Sequence, residues 1–307
     1  MNQSVRLAHN LYLVRQSNRD LTIVAWVVTL LTSMLPEIIW VEVSGSSPMW
    51  LAYAKMGLLL ALVLSTFVWK AGRPLRSLFV VMLAFFGLME LRLRFNFSVP
   101  ALQALFGNTV FDERMQAEQT GKLVVSLAMI GVLLALDYKR REFFLTRGHL
   151  RAPIEPVRLL GFPKPVPWHV FGLQWGLYIA LALAVVQYWV LRPSGDLMLK
   201  VAPILPSILF YAALNAFNEE ITYRSPMLTT LEPVGGNKWA LWQSAYFFGI
   251  AHYFGTPGGV LGGILSIFMG WILGKGMVET RGLFWTWWIH FLSDIAIFTF
   301  LTAALLQ

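Results

Sequence analysis

Long apolar runs dominate this chain, and its polar residues collect in the short stretches between them. Hydropathy marks about nine candidate spans, near Leu21–Val43, Met49–Trp69, Ser77–Leu91, Leu123–Leu136, Trp168–Leu191, Lys200–Thr230, Trp239–Phe254, Val260–Val278 and Leu283–Leu305. Most approach the ~20 residues that a helix needs to cross a bilayer. Backbone groups in lipid are satisfied only within helices or closed barrels, and the alternating pattern of barrel strands is nowhere evident. The pattern therefore predicts an all-α fold, a polytopic membrane helical bundle of about eight to nine transmembrane helices. The Leu123–Leu136 run is short, whereas Lys200–Thr230 is too long for one simple crossing, and Pro206 marks a kink within it.

Composition agrees with that reading. Of 307 residues, 57% are hydrophobic and 13% charged, against ~25% charged in an ordinary soluble domain. There are no cysteines, so neither a disulfide framework nor a Cys-bound metal is available. The polar, basic stretch Met1–Asp20 precedes a long span with no small-residue cleavage site and reads as the flank of a retained helix. Basic residues cluster at Arg6, Arg15 and Arg19, at Lys70, Arg73 and Arg76, and from Lys139 to Lys164, while Val43–Met49 and Pro193–Leu199 carry almost none. The positive-inside rule then predicts a cytoplasmic N-terminus, with Arg92, Arg94, Arg114 and Lys122 standing against the rule. The expectation is an integral, multi-pass membrane protein, in the plasma (inner) membrane if prokaryotic. Its net charge of +8 is placed to meet anionic lipid headgroups. Because the basic residues flank spans, nucleic acid is not an expected partner.

The Pro-rich polar stretch Asp137–Pro167 divides the chain as read from sequence. Residues 1–137 form an N-terminal set of about four spans, poor in candidate chemistry; 138–167 form a basic, cytoplasmic linker; and 168–307 form a C-terminal membrane domain with nearly all of the candidate chemistry. That chemistry begins directly after an apolar run, at Glu219-Glu220-Ile221-Thr222-Tyr223-Arg224. An ionised side chain near the middle of a membrane helix costs about 2.5–3.5 kcal/mol even on lenient scales, so three charges here demand an explanation. Glu220 and Arg224 are four apart and can pair, while Glu219, about 100° round an α-helix, is expected to point elsewhere. Of the histidines, His9, His149 and His169 lie in polar flanks or at a span entrance. His252 shares a helix face with Phe248, and His290 with Asp294.

These three clusters resemble the signature of the CPBP family of glutamic-type intramembrane proteases, which holds the type II CAAX prenyl endopeptidases and the bacterial Abi relatives. The matching residues are Glu219-Glu220-x-x-x-Arg224, Phe248-x-x-x-His252 and His290-x-x-x-Asp294, in order on successive late spans. The resemblance covers roughly Trp168 to Leu305 and makes 168–307 a CPBP/Abi-like catalytic domain. It implies that Glu219 activates a water, that His252 helps to hold it, and that His290 and Asp294 face the carbonyl oxygen of a peptide bond. Glu220, Arg224 and Phe248 would support the site, and the substrate would be a membrane-tethered peptide or protein, CAAX-like or lipidated. The chemistry is coherent, because a water-poor cleft strengthens a carboxylate as a general base and imidazole N–H groups stabilise an oxyanion. The prenyl endopeptidases carry Asn where Asp294 stands. An ionised Asp cannot donate to an oxyanion, so Asp294 is expected to orient His290 or else to be held protonated.

Other readings stay open at this level. No His-Glu-x-x-His points to a zincin-type metalloprotease; Glu219, His252 and His290 could still form a three-ligand zinc site with an open position, the strongest mechanistic rival, while the expectation is no cofactor. No Gly-x-Ser-x-Gly elbow points to a serine hydrolase. A transporter or a non-catalytic immunity scaffold would use the same polar cavity, with Gly255–Gly263 allowing close helix approach. Trp285, Trp287 and Trp288 read as an interfacial belt. Glu37, beside Pro36, reads as a residue at a kink or cap. Bringing Glu219 and His252 to one depth requires a tilted or broken span near Pro206 or Pro226.

Overall fold

A computed structural model describes residues 19–95, 97–99, 101, 107, 109–255 and 258–307. Arg6, His9 and Arg15 lie outside the described residues. The protein is an all-α, polytopic membrane protein with eight helical runs long and apolar enough to cross a membrane among the described residues. In chain order the helices are α1 (Arg19–Thr32), α2 (Leu35–Ser44), α3 (Trp50–Val68), α4 (Arg76–Arg92), α5 (Val110–Ala135), α6 (Trp168–Leu191), α7 (Gly195–Val201), α8 (Leu205–Glu219), α9 (Ser225–Ala251), α10 (Gly259–Thr280) and α11 (Phe284–Leu305).

The run from Gly195 to Phe254 holds 60 residues, which as one straight helix would span about three bilayer cores. It is broken instead. A 3₁₀ turn at Ala202–Ile204 precedes Pro206, a π-helix at Glu220–Arg224 precedes Pro226, and Gly236 leaves the helical region at φ 77°. Each proline stands in the first turn of the helix it opens, where its missing N–H costs nothing. Gly236 supplies a backbone conformation that an L side chain resists, and it separates the two spans that the sequence assigns to 200–230 and 239–254.

Two compact units make up the chain. One holds the described residues up to Gly87, with Val132–Tyr138 and Tyr223–Gly274. In it α9 packs on α1, where the buried Gln243 donates to Thr29 at 2.6 Å. Glu37, in the first turn of α2 beside Pro36, pairs with Lys55 of α3, whose ammonium also donates to Ser33 O at 2.9 Å. Small residues let α9 and α10 approach closely, as membrane helices do in the absence of a hydrophobic drive. A Cβ built on Gly249 would stand 2.3 Å from the Ile267 backbone nitrogen. Gly249 lies inside the Phe248–His252 cluster, so this contact seats that turn on α10. Because the obstructing atom is backbone, Gly249→Ala is expected to destabilise by about 1–3 kcal/mol. Thermal unfolding in detergent, followed by tryptophan fluorescence, should show the lowered midpoint.

The second unit holds Leu88–Gly131, Lys139–Thr222 and Lys275–Gln307. Helix α11 organises it, packing on α6 along one face and on α8 along another. Gly172 and Gly176 of α6 accept the first face: a Cβ on Gly172 would meet Trp285 at 2.5 Å, and one on Gly176 would meet Leu292 at 3.1 Å. Trp285 is thus buried packing, with its Nε1 donating to Leu150 O at 3.0 Å, and it is not part of an interfacial belt. Trp287 donates to Ala213 O at 2.8 Å and so ties α11 to α8. With Trp285, Ile289 and Leu292 on the α6 side, helical periodicity turns His290 and Asp294 towards α8. Below them Phe111, Ile208, Tyr211, Ala212 and Phe298 form a buried apolar floor. Residues 139–167 fold on themselves through antiparallel bridges pairing Pro153 with Pro167 and Val157 with Phe162, and His149 N ties them to α10 by donating to Thr280 O at 2.8 Å.

Candidate functional site

The second unit gathers Glu219, Glu220, His290 and Asp294 around one imidazole. His290 Nδ1 lies 2.7 Å from Glu220 Oε1, while Nε2 lies 3.6 Å from Glu219 Oε2 and 3.7 Å from Asp294 Oδ2. Adjacent glutamates would diverge by about 100° on an α-helix. Here Glu219 does not point elsewhere. It ends α8, Glu220 begins the π-helix, and the two carboxylates face opposite nitrogens of the same ring. Wide π turns recur where a helix must re-aim side chains at a functional position.

The shortest contact to His290 is made by Glu220, which is fully buried. Orientation of the ring, which the sequence reading gave to Asp294, comes from Glu220 on the Nδ1 side. The 2.7 Å contact joins His290 Nδ1 to Glu220 Oε1 as one hydrogen bond. Asp294 is held separately, its Oδ2 accepting from Asn215 Nδ2 at 2.9 Å.

Sequence reasoning missed a second layer. Lys122 of α5 places its ammonium 3.0 Å from Glu219 Oε1, 3.1 Å from Glu118 and 2.7 Å from Asn215 Oδ1. Gln119 donates to the same Asn215 oxygen at 2.9 Å, and Asn218 donates to Gln119 O at 3.1 Å. Ser126 bonds Asn218 O at 3.1 Å and Thr222 at 3.0 Å. A buried amide is costly unless its polar atoms are matched, and this ladder matches Asn215 on both ends. Helix α5 is therefore chemically rich where the sequence reading found little. Its one outward signal is Gln116, Gln119, Lys122 and Ser126 at spacings of three and four, a polar stripe that runs from a polar first half, with Asp112, Glu113, Arg114 and Glu118, into the apolar second half of the helix.

Arg224, Phe248 and His252 belong to the first unit. There Arg224, fully buried, lies over the Phe248 ring at 4.3 Å from its centroid, a cation–π contact that offsets part of the cost of burying the guanidinium. His252 opens the 3₁₀ turn that ends α9; its ring sits 4.5 Å from that of Phe248, and Nδ1 donates to Phe248 O at 3.0 Å.

Residues 200–296 match the profile of the Rce1-like type II CAAX prenyl endopeptidases. That segment contains all three clusters, and the match is consistent with the CPBP/CAAX protease family. Neither the curated proteins nor the solved structures give a match to this chain. Together with the eight apolar helical runs among the described residues, the match supports an integral, multi-pass membrane protein.

Proposed function

We propose that this protein is a glutamic-type intramembrane endopeptidase that cuts a CAAX-like or otherwise membrane-tethered protein, with its N-terminus in the cytoplasm. Glu219 is the general base. A water shared between Glu219 Oε2 and His290 Nε2, which are 3.6 Å apart, is within hydrogen-bond reach of both. Glu219 takes its proton as the oxygen attacks the scissile carbonyl carbon, and the proton is then passed to the leaving amine. His290, held from behind by Glu220, acts as the imidazolium, so that an Nε2–H is left to donate to the developing oxyanion. Lys122 fixes the Glu219 carboxylate from the side away from the ring and so leaves Oε2 to face the water. Asp294, anchored by Asn215, and His252, by its place in the Phe-x-x-x-His cluster, complete the set that the family resemblance brings to this chain.

The observation that carries this reading is the doubly flanked imidazole beside a lysine-paired carboxylate, inside segments apolar enough to lie in lipid. No metal is assigned to the water. The test is cleavage of a farnesylated CAAX peptide and its non-lipidated counterpart by the full chain in proteoliposomes, with and without 1,10-phenanthroline. Cleavage that survives the chelator is expected. Complete, zinc-reversible loss would replace the glutamic mechanism by a metal-dependent one.

A further inference from the structure

A recess of about 740 Å³ opens in the second unit, away from the cluster around His290. Arg140, Arg141, Arg147, His149 and Arg281 line it, with Glu142 as the acidic member of the wall. It is formed by the segment after α5 and by the turn joining α10 to α11, which places it at the ends of spans, at headgroup depth.

The recess is built, not a chance fold of surface. Leu283 N donates to Thr146 O at 2.8 Å, His149 N donates to Thr280 O at 2.8 Å, and Thr146 Oγ1 donates to Arg281 O at 3.0 Å. Gly148, at φ 76°, presses so close to the turn that a Cβ there would lie 2.8 Å from Gly282 Cα. The Arg281 guanidinium rests 4.8 Å from the centroid of the Phe144 ring, which is fully buried. Two walls are thus pinned together by backbone, and the guanidiniums are carried on a rigid frame.

Charge supplies the second observation. Arg140, Arg141 and Arg147 are exposed and take part in no ion pair among the described residues. Holding four arginines in one concavity against a single carboxylate raises the free energy by mutual repulsion, and an anion in the recess removes that repulsion. Guanidinium forks match phosphate oxygens bidentately, and basic recesses at the ends of membrane helices suit phospholipid headgroups. The size fits a small polar group, not a folded partner.

We propose that this recess binds a phosphate-bearing anion, supplied at that depth by an anionic phospholipid headgroup. The site would hold the segment after α5 against the α10–α11 turn in an acidic membrane. The test is native mass spectrometry of the full chain in detergent, exposed in separate arms to phosphatidylglycerol, phosphatidylcholine and inorganic phosphate. One phosphatidylglycerol should be retained in preference to phosphatidylcholine. The variant R140Q/R141Q/R147Q should hold it about tenfold or more weakly, whereas R19Q/K70Q/R73Q, which removes three exposed charges from the other unit, should match the parent. Equal retention by both triple variants, or no preference between the two lipids, would overturn the site. Saturation by inorganic phosphate that phosphatidylglycerol fails to displace would overturn the lipid source.

Discussion

Glu219→Gln is expected to lower kcat/KM for peptide cleavage by about 10²–10⁴-fold, the range that a general base contributes. Glutamine keeps the shape of the side chain, and its carbonyl oxygen still accepts from Lys122, 3.0 Å away in the parent. Lys122 also keeps Glu118 at 3.1 Å and Asn215 at 2.7 Å. What disappears is the capacity to take a proton from water. The thermal midpoint should therefore stay close to that of the parent while turnover collapses. Parallel measurement of both quantities in the same detergent separates a lost base from a lost fold. Turnover equal to that of the parent would remove Glu219 from the mechanism.

His290→Ala should cost both activity and stability, for separable reasons. Removing an oxyanion donor costs about 10²–10³-fold in kcat. The same truncation strips Glu220, which has no exposure to solvent, of its contact at 2.7 Å. Breaking one side of a buried charged pair destabilises by about 3–5 kcal/mol, because the remaining charge has no solvent to return to. His290→Gln retains an N–H donor and should recover part of the stability without the rate. If His290→Ala melted and cleaved like the parent, the imidazole would have neither role. Neither variant should alter the headgroup recess, which lies away from both residues.

Some of this architecture could be read directly. Lipid makes charge conspicuous, so Glu219, Glu220 and Arg224 stood out from the run before them, and the four-residue spacing of His290 and Asp294 put both on one face of α11. Pro206 and Pro226 marked real interruptions, because a proline lacks the N–H that a helix interior needs. Trp285 misleads: an aromatic near a span end looks interfacial unless the glycine that receives it, Gly172, is known to face it. Lys122 was read as a charge on the wrong side of a topology, though it is the counter-ion of Glu219.

Lys122 and Glu219 stand 97 residues apart, and Glu37 and Lys55 are on different helices. No local periodicity links such pairs, since a helix repeats only over three or four residues. The sequence by itself determined the all-helical membrane class, the order of the three polar clusters and the places where the long C-terminal run must break, because each of these follows from local hydropathy, spacing or backbone chemistry. Tertiary structure alone decided that Glu220 and not Asp294 holds His290, that Glu219 turns back to the same ring through the π-helix, and that α5 supplies its lysine. Those outcomes depend on which faces meet when helices pack, and packing is set by side chains far apart in the chain.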